Sequence, residues 1–294
     1  MNNIAISTDS TANLPSEWVK QYAIRIIQLK SHGESKTYLD GIDLTPEEFY
    51  MHLSNNKSLS KSLSTTSQPS FQDFLLAFNS LADEGATGIV VPLISSGISG
   101  TVDSARHAAS MIARVSAEII DNHITPMEQV LIILAAARYA EQGASLQGVR
   151  QAADEVVRRL KVFFAVDTLE YLHRGGRING TSRYFGNALG IIIDALERVR
   201  TKKKALQRLI TFAEQQANRH TVQVGIVHAN VPQTTQGFSS EVDQRLNCKE
   251  FFAVEFCPVI SAHVGPGASG IALYSNYLNR LRRIICVPCF NEVS

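Results

Sequence analysis

Short, almost wholly apolar runs alternate along this chain with longer segments whose apolar residues recur every three or four positions. Asn3-Ile4-Ala5-Ile6-Ser7, Ile24 to Leu29, Gly88 to Ile94 and Glu118-Ile119-Ile120-Asp121 read as strands, because brief apolar runs bounded by turn formers suit a buried sheet. Between them, Leu14-Pro15-Ser16-Glu17-Trp18 opens a helix with proline near its first turn. Thr45-Pro46-Glu47-Glu48 is a capping box for a helix to about Leu53, and Ser70-Phe71-Gln72-Asp73 starts another whose Phe74, Leu75, Phe78 and Leu81 recur at helical spacing. The spacing predicts further helices over 102–115, 127–141 and 146–160, while the polar stretch Asn55 to Gln68 reads as an exposed loop. Strands alternating with helices predict an α/β fold with a parallel sheet covered on both faces.

Beyond residue 160 the order changes. Val162 to Val166, Val222 to His228, Phe252 to Phe256 and Gly270 to Tyr274 are strand candidates around an amphipathic helix over 203–218. Two domains are therefore expected, an N-terminal α/β domain over 1–160 and a C-terminal mixed α/β domain over 161–294. A length of 294 residues, 45% hydrophobic and 19% charged, suits two globular domains of ordinary size.

The formal net charge of +1 gives no general attraction to nucleic acid or an anionic membrane. The apolar run from Val130 to Ala137 is too short to span a bilayer, and the opening MNNIAISTDS lacks a signal peptide's basic and apolar regions. A soluble, cytoplasmic protein without integral membrane association is expected. All four cysteines lie in the last fifth of the chain, too sparse for a disulfide framework. Cys286-Val-Pro-Cys289 has redox or half-zinc spacing but no second such pair, so no metal site is expected.

The candidate chemistry lies where strands end. Ser95-Ser96-Gly97-Ile98-Ser99-Gly100-Thr101 joins an apolar strand to a helix, and a helix N-terminus there offers N–H donors and a positive dipole end to a carboxylate or phosphate. Simple capping accounts for the same residues. Asp9-Ser10-Thr11 ends the first strand at the same sheet edge, and Thr65-Thr66-Ser67-Gln68-Pro69-Ser70 brings a third set of hydroxyls to a helix start. His263-Val264-Gly265-Pro266-Gly267 reads as an exposed tight turn after a strand-like run, suited to fixing an imidazole. Arg174-Gly175-Gly176-Arg177 offers two guanidinium groups, and the run Arg198, Arg200, Lys202, Lys203, Lys204 puts positive charge against a helix dipole, which points to a partner. Gly-x-Ser-x-Gly, Walker and HExxH motifs are absent, and no base is evident beside Ser96. Such a hydroxyl cluster binds more readily than it cleaves; a hydrolase or small-molecule phosphotransferase using the Ser-rich loop is the alternative.

In this order, IAISTDSTANLP, TYLDGIDLTPEEFY, TTSQPS, ISSGISGT, VDTLEYLHRGGRI, RTKKKAL and HVGPG resemble the DegV family of bacterial fatty-acid-binding proteins over residues 4 to about 274. The resemblance implies a two-domain α/β carrier rather than an enzyme. One long-chain fatty acid would lie with its acyl chain in an apolar tunnel and its carboxylate near the domain interface, without other cofactor. A separate fatty acid kinase would supply the ATP chemistry that forms an acyl phosphate. By motif, Thr66, Ser96, the Gly97 N–H and His263 would hold the carboxylate, supported by Asp9, Ser10, Ser95 and Arg177, while Arg200 would face the kinase. The chain departs from the family pattern at Asp121 to Met127 and in IIIDALERV, 191–199, which lacks a Lys-Pro pair and an Asp-Gly hairpin.

Overall fold

The computed structural model describes residues 2–33, 36–55, 65–121, 129–168, 170–176, 184–185, 193–195, 199, 201–278 and 283–288. In chain order the elements begin β1 (Ile4–Asp9), α1 (Ser16–Gln21), β2 (Arg25–Ile27), β3 (Lys30–His32), β4 (Thr37–Leu39), α2 (Pro46–Asn55), β5 (Thr65–Ser67) and α3 (Phe71–Asp83). Next come β6 (Gly88–Leu93), α4 (Thr101–Met111), β7 (Ser116–Asp121), α5 (Gln129–Glu141), α6 (Leu146–Arg159), β8 (Lys161–Val166), α7 (Glu170–Arg174), β9 (Tyr184–Phe185) and β10 (Ile193–Ala195). The chain ends with α8 (Lys202–Ala217), β11 (Val222–His228), α9 (Pro232–Arg245), β12 (Cys248–Glu255), α10 (Pro258–Val264), β13 (Ser269–Tyr274) and β14 (Arg283–Pro288). These elements form two compact units, one of Met1–Lys30 with Thr66–Arg158, the other of Ser31–Thr65 with Arg159–Ser294. One boundary between the units falls at Arg158 and Arg159, and the segment Ser31–Thr65, the exchanged segment below, groups with the second unit.

The first unit is built on a parallel sheet of order β2-β1-β6-β7. Every residue of β6 is buried, as a central strand covered on both faces requires. Ile89, Val91 and Leu93 meet Phe74 and Phe78 of α3 and Val102 and Ala105 of α4 in one core. The intervening Val90 points to the other face, and α5, buried from Gln129 through Leu134, lies against β1 and β6. Ser70 and Asp73 form the capping box of α3. Helix α4 stops at Met111, short of the predicted 115, because Ile112 is extended; Ile112 and Val115 keep the apolar spacing but pack into the core from the turn toward β7. The predicted loop 55–68 likewise needs correction, since Thr65–Ser67 forms β5 in a small sheet of order β4-β3-β5. A short strand whose side chains are all polar leaves no apolar alternation to read.

The second unit carries a mixed sheet of order β12-β11-β13-β8-β14-β10-β9. The pairs β11/β12, β8/β14 and β10/β14 are parallel, and β11/β13, β8/β13 and β9/β10 antiparallel. One face, with Phe163, Ala165, Val224, Ile226, Ile271 and Leu273, is covered by Leu209 and Ile210 of α8 and Phe238 and Val242 of α9. Thr201 caps α8 by accepting from the Lys204 N–H, and Asn218 ends it in the left-handed region at φ 45°. Lys202 Nζ lies 2.8 Å from Asp167 Oδ1, which offsets part of the adverse charge at this helix start. In the exchanged segment the expected capping box is present: Thr45 Oγ1 accepts from the Glu48 N–H at 3.2 Å, and Glu48 Oε2 from the Thr45 N–H at 2.9 Å. Within 191–199, the residues Ile193–Ala195 form β10.

Candidate functional site

Three polar loops of the first unit are tied together where β1 and β6 end. Asp9 Oδ2 accepts from the Ile94 N–H at 2.9 Å, so one carboxyl group joins the end of the first strand to the start of the serine-rich loop. Asp9 Oδ1 accepts from the Thr11 N–H at 2.9 Å, and Ser10 Oγ from the Leu29 N–H at 3.1 Å. Asp121, at the end of β7, accepts from the Ser96 N–H at 3.2 Å. Gln68 of the third loop lies over Gly100: a Cβ there would sit 2.3 Å from Gln68 Oε1, and Gln68 Nε2 donates to Ser104 Oγ at 3.0 Å. The motif bearing Thr66 is thereby brought against the motif bearing Ser96. The Gly97 N–H, expected to serve a ligand carboxylate, donates to Ser95 Oγ at 3.1 Å. Among the described residues none is hydrogen-bonded to Ser96 Oγ.

Beneath these loops runs a buried chain from Asp9 Oδ1 to Thr11 Oγ1, to Gln129, to Thr8 Oγ1 and to the Pro92 carbonyl. It contains four links. The Thr8 hydroxyl, the Thr11 hydroxyl and the Gln129 amide supply three protons to them. Turning the amide over moves the shortfall to Thr8 and Pro92 without removing it. The fourth proton belongs on Asp9, which then donates to Thr11, as Thr11 does to Gln129 Oε1. Complete burial agrees, since it raises the Asp9 pKa against the lowering effect of hydrogen bonds from Thr11 and Ile94. Burial thus shifts Asp9 toward its neutral form beneath the candidate anion site.

In the second unit, two motifs meet. The apolar run before His263 is not a strand: Pro258 at the first position and Gly265 at φ 74° bracket a seven-residue helix, α10, whose last turn carries His263. Gly175 approaches this imidazole so closely that a Cβ would lie 2.5 Å from His263 Nδ1, and a Cβ on Gly265 would lie 2.4 Å from the Tyr171 ring. The double-glycine motif and the histidine motif thus form one packed contact between α7 and α10. Arg177 and Arg200 lie outside the described residues, as does Cys289; Cys286 is on β14. Among the described residues no group of three or more His, Cys, Asp or Glu could hold a metal ion. No described helix is long and apolar enough to cross a membrane.

A family model described as "Uncharacterised protein, DegV family" matches residues 3–276. The chain belongs to the DegV family. It is 32% identical over 284 residues to a DegV domain-containing protein of Halalkalibacterium halodurans, covering 93% of this chain and 99% of the relative. Among solved structures it is similar to DegV of Bacillus subtilis, described as a fatty acid binding protein, at 28% identity and TM-score 0.82. A DegV family protein of Thermus thermophilus, described for its fatty acid binding, matches at 29% identity and TM-score 0.81. Each comparison covers 93% of this chain and 99% of the other. The expected fold, a helix-flanked parallel sheet with a mixed C-terminal sheet, is the DegV fold.

Three polar residues of this DegV chain take part in the loop network without a motif that marks them. Gln129 opens an apolar helix and is fully buried, so its signal was a lone amide at the head of an apolar run. Asp121 ends a strand at the same edge as Asp9, and Gln68 stands among the hydroxyl residues of TTSQPS.

Proposed function

We propose that this chain binds one long-chain fatty acid and presents its carboxylate to a separate fatty acid kinase. Thr66, Ser96 and Gly97 of the first unit and His263 of the second would hold the carboxylate near the interface, with the acyl chain in an apolar tunnel. Asp9, Ser10 and Ser95 would support the loops, Arg177 the polar surroundings of the head group, and Arg200 the kinase contact. The observation that carries this reading is the tying of three hydroxyl-bearing loops to one sheet edge through Asp9 and Gln68. Hydroxyls and N–H groups that converge at a helix start suit a carboxylate, whose burial without donors would be expensive. The fatty acid binding of similar DegV structures supports the choice of ligand. Burying a sixteen-carbon chain at ~0.8 kcal/mol per methylene supplies about 12 kcal/mol before ordering costs, so the tail provides affinity and the head group register.

The chain itself would not catalyse. The kinase would transfer the ATP γ-phosphoryl group to a carboxylate oxygen, releasing ADP and forming the acyl phosphate. Native mass spectrometry of the purified protein tests the ligand: the expected result is an added mass of one long-chain fatty acid. Turnover of an ester or phosphoryl donor by the protein alone would favour a hydrolase or phosphotransferase and overturn the proposal.

A further inference from the structure

The exchanged segment 31–65 is joined to the second unit through the short helix that carries His263. At seven residues, α10 is too short to hold its own shape in water, so its neighbours set where it lies. Cys257, at the N-cap position, makes no side-chain capping bond. Asp40, more than two hundred residues earlier, accepts from the Val259 N–H through Oδ1 at 3.1 Å. The Tyr50 hydroxyl donates to Ser261 Oγ at 2.7 Å, and Ser261 Oγ donates to the Phe256 carbonyl at 3.3 Å. Asp40, Tyr50 and Ser261 are all buried.

Ser261 and His263 are two positions apart, about 200° around a helix, and so face opposite ways. Tyr50 therefore fixes the back of α10 while the imidazole on its front meets Gly175. Asp40 fixes the helix along its axis and Tyr50 fixes its rotation. With a helix radius of about 5 to 6 Å at the side chains, a 20° rotation moves the histidine by about 2 Å. Displacements of that size are enough to spoil a hydrogen bond to a carboxylate.

We propose that Asp40 and Tyr50 are positioning residues for His263, through which the segment 31–65 sets the affinity of this chain for the ligand's carboxylate. The proposal rests on the head-group reading given above. It assigns a role to TYLDGIDLTPEEFY that does not require the segment to touch the ligand.

The test compares hexadecanoate with hexadecan-1-ol, which share a chain but not a charged head, and follows the His263 imidazole nitrogens by NMR in delipidated protein. His263→Gln assigns the resonances. In Tyr50→Phe and Asp40→Ala the His263 resonances should move, and acid affinity should fall about tenfold while alcohol affinity changes less than twofold, a loss comparable to one hydrogen bond to a charged group. Asp40→Asn, which keeps a capping oxygen, should restore the acid affinity. Unmoved His263 resonances, or equal losses for acid and alcohol, would overturn the proposal. If the wild type shows no preference for acid over alcohol, the head-group reading fails instead, and the resonances alone decide whether Asp40 and Tyr50 position His263.

Discussion

Thr11→Val removes one hydroxyl from the buried chain beneath the candidate site while keeping the side chain's volume. Gln129, fully buried, then has an Oε1 without a donor, and the proton on Asp9 loses its acceptor. A buried polar group left unsatisfied costs about 1–3 kcal/mol, so the substitution should lower the unfolding free energy by about 2–4 kcal/mol. Gln129→Leu should cost less, about 1–2 kcal/mol, because Thr8 keeps the Pro92 carbonyl at 2.8 Å and Thr11 keeps Asp9. Combined, the two changes remove both ends of the broken link, and the double variant should recover at least ~1 kcal/mol relative to the sum of the single losses. Trp18, the single tryptophan, belongs to the same unit on α1, so its fluorescence in urea reports on the part of the molecule that contains the network. Additive losses within about 0.5 kcal/mol, or a Thr11→Val protein as stable as the wild type, would refute the proton count on which the neutral Asp9 rests.

Asp9 also makes stability depend on pH. Its folded pKa lies above the ordinary 3.8, so its contribution is fully present below 3.8 and is lost as pH rises toward the folded value. Asp9→Asn should flatten that part of a pH series of urea midpoints, and an unchanged series would reject the assignment. Ser96→Ala combined with Thr66→Ala should weaken fatty acid binding about 10- to 100-fold in a titration, from lost bonds to a charged head group; unchanged affinity would remove these residues from the site. Gly267→Ala should cost at least ~2 kcal/mol, because φ is 87° and a Cβ would collide with the Asp167 carboxylate that pairs with Lys202. Its thermal midpoint should fall accordingly, and a midpoint equal to wild type would contradict that steric argument.

Legibility varied with how local the physics was. The β6 run Gly88–Leu93 and the Ser70/Asp73 capping box could be read because burial on both faces and a helix start each leave a contiguous pattern. Thr65–Ser67 could not, since its strand character comes from pairing in a small sheet rather than from its own residues. The helix that carries His263 reads as a strand because seven mostly apolar residues carry no decisive period; proline at its head and glycine past its end are the better signals.

By itself the sequence determined the alternation of strands and helices, the sheet edge at which hydroxyls collect, and the family motifs that name a candidate ligand. Tertiary structure alone decided that Asp9 reaches Ile94, that Gln129 completes its network, that Gly175 lies on the His263 ring, and that residues 31–65 pack with the second unit. The reason is physical: helix periods and caps are set within a few residues, whereas a buried hydrogen bond joins positions as far as 219 residues apart, whose meeting only the packed core imposes.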